Sequence, residues 1–188
     1  MIWMNFILAF RIKNIWNFMM TSIWTSWIIR YNSFDCTNYT EEMWEIQKIM
    51  KIKNLVIWNT GKQSSQFLCH FKEEHGLFMR CDHLKSFDFN RFLKNWMNGE
   101  KEHLKSICCL LPKYIFHSLT EAEIFEGIQI DKLEDSVQKK FDYGPLIEKY
   151  DRFLPRCAFM NGTKIERKSD GKWATVFFTE PHFAFFYN

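Results

Sequence analysis

Asp88-Phe89-Asn90-Arg91-Phe92-Leu93-Lys94-Asn95-Trp96-Met97-Asn98-Gly99 is the stretch on which the fold turns. Its apolar residues Phe89, Phe92, Leu93 and Trp96 follow the i, i+3, i+4, i+7 spacing of a helix that buries one face. Ser86 or Asp88 is placed to cap its start. Gly99 supplies the left-handed residue that ends it, and Asn98 helps the chain turn. Helices with both ends written in the sequence anchor the frame of the residues around them.

Working outward, β-prone runs flank this helix. Leu77-Phe78-Met79-Arg80-Cys81 precedes it and Leu104-Lys105-Ser106-Ile107-Cys108-Cys109-Leu110 follows it, stopped by Pro112. Upstream, Lys53-Asn54-Leu55-Val56-Ile57-Trp58 reads as another strand, and a helix capped by Ser64 or Ser65 runs to about Glu74, closed by Gly76. Trp27-Ile28-Ile29-Arg30-Tyr31 is a fourth β-like run, and Thr40 caps a helix from Glu41 to Met50. Thr120-Glu121-Ala122-Glu123 has capping-box spacing and opens a short helix ended near Gly127. Strand starts near Ile28, Lys53, Leu77 and Leu104, each followed by a helix, predict an α/β leucine-rich-repeat-like strand–helix solenoid. A plain sheet of βαβ units has the same local pattern. Either way the strands are expected to be parallel with right-handed crossovers.

Beyond Asp131 the pattern weakens to charged loops with a short helix and a turn at Tyr143-Gly144-Pro145. Asp170-Gly171 then stands between two β-prone arms, Ile165 to Val176, the strongest short hairpin signal. After Pro181 comes a last strand, Phe183-Ala184-Phe185-Phe186-Tyr187. The organisation expected is an amphipathic N-terminal helix or remnant over 1–27 and one domain over 28–188. That domain divides into repeats (28–130), a loop-rich segment (131–162) and a small antiparallel hairpin unit closing the array (163–188).

Composition narrows the classes. Hydrophobic residues make up 47% and aromatics 18%, far from the signature of disorder, so a packed core is expected. Net charge is +3 with acidic and basic residues interspersed, and no block of five like charges offers phosphates a basic patch, so nucleic acid is not an expected partner. Residues 14–29 line Ile15, Trp16, Met19, Met20, Ile23, Trp24, Trp27 and Ile28 on one face and polar residues on the other, too short and polar to span a bilayer. The six cysteines form no CxxC pair, and several sit in apolar runs, as reduced core thiols do in an intracellular protein.

Signatures of chemistry are sparse. The sequence has no GxGxxG, no GxxxxGK[ST] and no HExxH, and no Cys/His spacing suited to zinc. Cys69-His70 is the nearest approach to a nucleophile and base, but adjacent helical residues point about 100° apart. His75 and His83 flank a strand and could meet in space. Glu121, Glu123 and Glu126 share a helix, where capping and solvation account for them. No catalytic, cofactor or metal site is expected.

The opening stretch nevertheless resembles the signature of the F-box associated domain, type 2, of nematode F-box proteins. Its Phe-Leu-Lys, following Trp and later Gly are matched by Phe89, Asn90, Phe92, Leu93, Lys94, Trp96 and Gly99. A strand-initial Leu is matched by Leu104, and a short helix ending in Gly-Ile by Gly127-Ile128. A terminal pattern is matched by Ile165, Arg167, Asp170-Gly171 and Ala174-Thr175-Val176. The resemblance implies a non-enzymatic protein–protein interaction module, the substrate-recognition part of a cullin–RING ubiquitin ligase adaptor. It implies an unknown protein substrate, no cofactor, and a cytoplasmic or nuclear location. The F-box that docks on a Skp-type adaptor is not found in residues 1–27, which contain no proline, so that partner is expected only if an F-box lies upstream. The alternative is an orphan structural domain with no ligase role.

Overall fold

The computed structural model of the chain describes residues 26–29, 47, 49–133, 143–148 and 162–187. Most of the amphipathic helix expected over 14–29 and of the helix expected over 41–50 lies outside them. Ser26–Ile29 is strand β1, so the helix expected there does not extend through those four residues. Four parallel strands follow one another across the sheet: β1, β2 (Asn54–Ile57), β3 (His75–Met79) and β4 (Ser106–Leu110). Parallel neighbours need crossovers. Helix α1 (Ser64–His70), entered through a 3₁₀ turn at Gly61–Gln63, joins β2 to β3, and α2 (Ser86–Met97) joins β3 to β4.

Beyond β4 the chain changes hand of pairing. Two single-turn helices, α3 (Lys113–Phe116) and α4 (Glu121–Ile124), lead to the short edge strand β5 (Ile130–Lys132). After α5 (Gly144–Ile147), strands β6 (Thr163–Arg167), β7 (Lys172–Thr179) and β8 (His182–Tyr187) form an antiparallel meander. Its last strand inserts beside β4, with Cys108 opposite Ala184 and Cys109 opposite Phe183. The result is one open, mixed sheet of eight strands in the order β1-β2-β3-β4-β8-β7-β6-β5.

That architecture overturns the solenoid expectation. In a solenoid each repeat touches only its neighbours. Here the parallel run stops at β4, and the hairpin unit does not close an array but extends the same sheet. The sheet is also covered on both faces. One face carries Leu55, Ile57, Phe78, Ile107, Cys109, Phe183 and Phe185 against α1, α2 and α4. The other carries Val56, Leu77, Met79, Cys108, Ala184 and Phe186, all at most 2% exposed, with Tyr143 and Ile147 of the α5 segment against them. The 24–27-residue spacing between the expected strand starts reflects consecutive βαβ units, a local pattern that does not distinguish the two architectures.

Smaller corrections have local causes. Helix α1 ends at His70, short of Glu74, and Gly76 does not close it but lies inside β3. A Cβ there would meet Ile107, Phe71 and Phe78 side-chain atoms at 3.1–3.2 Å, so close packing accounts for the glycine. Strand β3 ends at Met79, and Arg80 adopts a left-handed conformation, φ +53°. Strand β4 begins at Ser106, so Leu104 precedes it as a buried residue of the connection. At α2 the cap position is Lys85, neither Ser86 nor Asp88. Asp88 acts from the third helical position, its carboxylate accepting the Lys85 N–H at 2.8 Å.

Candidate interaction surface at the carboxyl ends of the parallel strands

The signature residues come together as a framework. Phe89 packs on Phe183, Phe92 on Phe183 and Phe185, and Trp96 on Phe185, with ring centroids 4.4–6.0 Å apart. Phe89, Phe92, Leu93 and Trp96, the apolar stripe of α2, are all buried against the sheet. Asn90, also buried, donates from Nδ2 to the carbonyls of Ile124 (3.0 Å) and Glu126 (2.9 Å), tying α2 to α4. Gly127 (φ +69°) lies in the turn that follows α4, with Lys94 Nζ about 3.5 Å from where a Cβ would stand. Gly99 (φ +84°) ends α2. Arg167 lies over the Trp96 ring at 5.1 Å and grips Asp170 through Nε (2.9 Å) and Nη2 (2.7 Å) across the Gly171 turn. Ile165 and Ala174 are paired across β6 and β7 and join the core, and Thr175 is buried. These residues hold the sheet, helix α2 and the hairpin in register. They present no common surface.

The other candidates from the sequence separate. His70 faces out, its Nδ1 3.1 Å from the Gln66 carbonyl, whereas Cys69 is buried with Sγ 3.8 Å from the Asp88 carbonyl oxygen. Burial first, and then the Asp88 charge, pushes the Cys69 thiol up, the reverse of an activated nucleophile. His75 and His83 do not meet. His75 opens β3, while His83 follows its far end. His75 instead pairs with Ser106 (Nδ1 to Oγ, 2.8 Å), at the amino ends of β3 and β4. Glu123 is lowered by hydrogen bonds from Ser86 and Thr120, the capping role expected of it. Cys69, Cys81, Cys108 and Cys109 are buried and in no disulfide. Among the described residues no three His, Cys, Asp or Glu side chains cluster as a metal site, and no helix is long and apolar enough to cross a membrane.

A surface feature emerges at the opposite end of the parallel strands, where open α/β sheets place their binding crevices. Residues following β2, β3 and β4 are laced together there. Thr60 N–H donates to the Met79 carbonyl (3.2 Å), Thr60 Oγ1 to the Arg80 carbonyl (3.3 Å) and Cys81 N–H to the Leu110 carbonyl (3.3 Å). Leu111 N–H donates to the Pro181 carbonyl at 2.8 Å, fixing the β7–β8 turn to the same rim. The Thr120 N–H donates to Ser86 Oγ at 3.1 Å, tying the connection after β4 to the start of α2.

On this rim opens a shallow cleft of about 260 Å³ lined by Arg80, Asp82, Leu110, Leu111, Pro112 and Tyr114. Tyr114 is 65% exposed, and Phe87, in the first turn of α2, is 67% exposed. Both aromatics stand at this end of the sheet and offer apolar contact area to a partner. Beside them Lys113 and His117 approach Glu180 at 3.7 Å. Arg80, Asp82 and Tyr114 make no side-chain hydrogen bond or ion pair among the described residues, so the cleft presents an unspent guanidinium, carboxylate and phenol.

The sequence carries no motif at these cleft residues, and Arg80 falls inside the run expected as a strand, Leu77 to Cys81. The available signal was phase. Phe87 falls off the apolar face set by Phe89, Phe92, Leu93 and Trp96, and Tyr114 stands immediately before the packed pair Ile115 and Phe116. No protein-family model, curated protein or solved structure matches the chain.

Proposed function

We propose that this chain is a non-enzymatic protein-interaction module, of the kind that recognises substrates for a cullin–RING ubiquitin ligase. Its working surface is the rim at the carboxyl ends of β2, β3 and β4. The observation carrying this reading is the pair of exposed aromatics, Phe87 and Tyr114, on a rim that also bears a cleft and unspent polar side chains. The framework of signature residues supports it from the other side. They are occupied with holding the fold, which leaves recognition to the rim. In this reading the protein acts in the cytoplasm or nucleus, and a Skp-type adaptor is its partner if an F-box lies upstream of Met1.

The test is co-precipitation of the chain, expressed from its full genomic locus, with ligase subunits and bound proteins. The expected outcome is recovery of a Skp-type adaptor, with a set of client proteins that is lost from the double variant Phe87→Ser, Tyr114→Ser while the adaptor is retained. Recovery of no ligase subunit would leave an orphan domain. Clients retained by the double variant would move the working surface elsewhere.

A further inference from the structure

Resting on that reading, we infer that the cleft receives an extended peptide segment of a partner protein that carries a single acidic side chain flanked by apolar residues. Four of the six lining residues, Leu110, Leu111, Pro112 and Tyr114, are apolar or aromatic, and Tyr114 and Pro112 offer rigid surfaces that lose little freedom on binding. The polar elements are few and placed together, as in built recognition sites. Arg80 is exposed and unpaired, and its planar guanidinium matches a carboxylate in a two-pronged hydrogen bond. Asp82 stands next to it, its own N–H donating to the Arg80 carbonyl at 3.0 Å. Its carboxylate accepts N–H groups, which an extended peptide supplies at each residue, and it repels a second acidic side chain. A polyacidic segment is thereby disfavoured relative to one with a lone acid.

The backbone at Arg80 is the second, independent observation. A non-glycine residue at φ +53° carries a steric cost that glycine would not, and here the residue is exposed. The strained conformation is held by the Thr60 Oγ1, Cys81 and Asp82 hydrogen bonds, and it delivers an arginine to the cleft mouth. Strain kept at an exposed residue beside a cleft points to recognition.

The experiment displays short random peptides against the full chain and measures the enriched peptides by fluorescence polarisation on four proteins. These are wild type, Arg80→Gly, Arg80→Glu and Tyr114→Ser. Arg80→Gly suits the local φ and keeps the fold. The expected consensus has one Asp or Glu between apolar residues. Affinity is expected to drop roughly tenfold or more in Arg80→Gly, with weaker dependence on salt, and Arg80→Glu is expected to enrich basic peptides instead. A consensus without an acid, or equal binding to Arg80→Gly, overturns the acidic class. If Tyr114→Ser then still abolishes binding, the rim reading survives that failure. If it does not, the rim reading falls too. Failure to enrich any peptide overturns the inference. Concentration-dependent dimerisation lost in Tyr114→Ser assigns the cleft to a second copy of the chain and overturns it as well.

Discussion

At the scale of single residues, Arg167 shows how little of a charged side chain's role is visible from its type. Its guanidinium is almost fully buried, stacks on Trp96 and is neutralised by Asp170 three residues on. The hydrogen bonds from Arg167 hold the Asp170 carboxyl at about 2, below its usual value, and those from Lys105 and Lys53 hold Glu74 at about 2. Both carboxyls bind protons more weakly folded than unfolded. Their stabilisation is therefore full above the ordinary carboxylate range and is lost as pH falls from about 4.5 through 2. Equilibrium unfolding followed by circular dichroism should show this acid limb, and Asp170→Asn together with Glu74→Gln should flatten it. Trp96→Ala should cost on the order of 3–5 kcal/mol in denaturant titrations, since the ring is buried between α2, β8 and Arg167. Arg80→Gly should act in the opposite sense and raise stability by about 1 kcal/mol. The α2 positions were legible in the sequence because periodicity reports burial. Arg80 was not, because a left-handed residue without glycine leaves no local trace, and its conformation is imposed by Thr60 and Leu110 from distant parts of the chain.

At the scale of elements, the short helix α1 ends on an unusual cap. Lys101, 1% exposed, donates from Nζ to the carbonyls of Phe71 (2.6 Å) and Cys69 (2.8 Å), with Leu68 at 3.5 Å, and lies over the Phe92 ring. A cation suits the last carbonyls of a helix, where the dipole is negative. Burial, the largest influence on it, lowers the ammonium from 10.5 to about 8. The folded state then holds fewer protons than the unfolded state between about 8 and 10.5, so this residue's contribution to stability rises with pH across that window. Burial raises the thiols of Cys69 and Cys109, which act in the opposite sense at alkaline pH. The comparison of wild type with Lys101→Met therefore isolates the lysine: thermal melts from pH 7 to 10 should show the wild type gaining on the variant. The helix itself is readable from Phe67, Leu68 and Phe71, but its cap comes from a residue thirty positions downstream, next to Glu102, where nothing local in the sequence marks a buried cation.

At the scale of the molecule, β8 joins two regimes of pairing. It is antiparallel to β4 on one side and to β7 on the other, and its Phe183 and Phe185 receive the aromatic face of α2. The Asp170-Gly171 hairpin and every strand but β5, three residues long and mostly charged, are legible in the sequence, but their placement is not. Alternation specifies which residues of a strand are buried and says nothing about which neighbour it takes. Native-state hydrogen exchange should find the slowest amides in β3, β4 and β8, and Phe185→Ala should destabilise the parallel and antiparallel halves together in one unfolding transition.

The position of β8 also sets an order of events during synthesis. The ribosome releases β4 well before β8, so a nascent chain carries an apolar strand, Ile107-Cys108-Cys109, whose free edge waits for a partner not yet made. Until then that edge is open to pairing with another chain. The yield of folded protein is therefore expected to depend on holding the first half in check until β8 is made. A chain ending at Thr179 should accumulate in the insoluble fraction while the full chain does not.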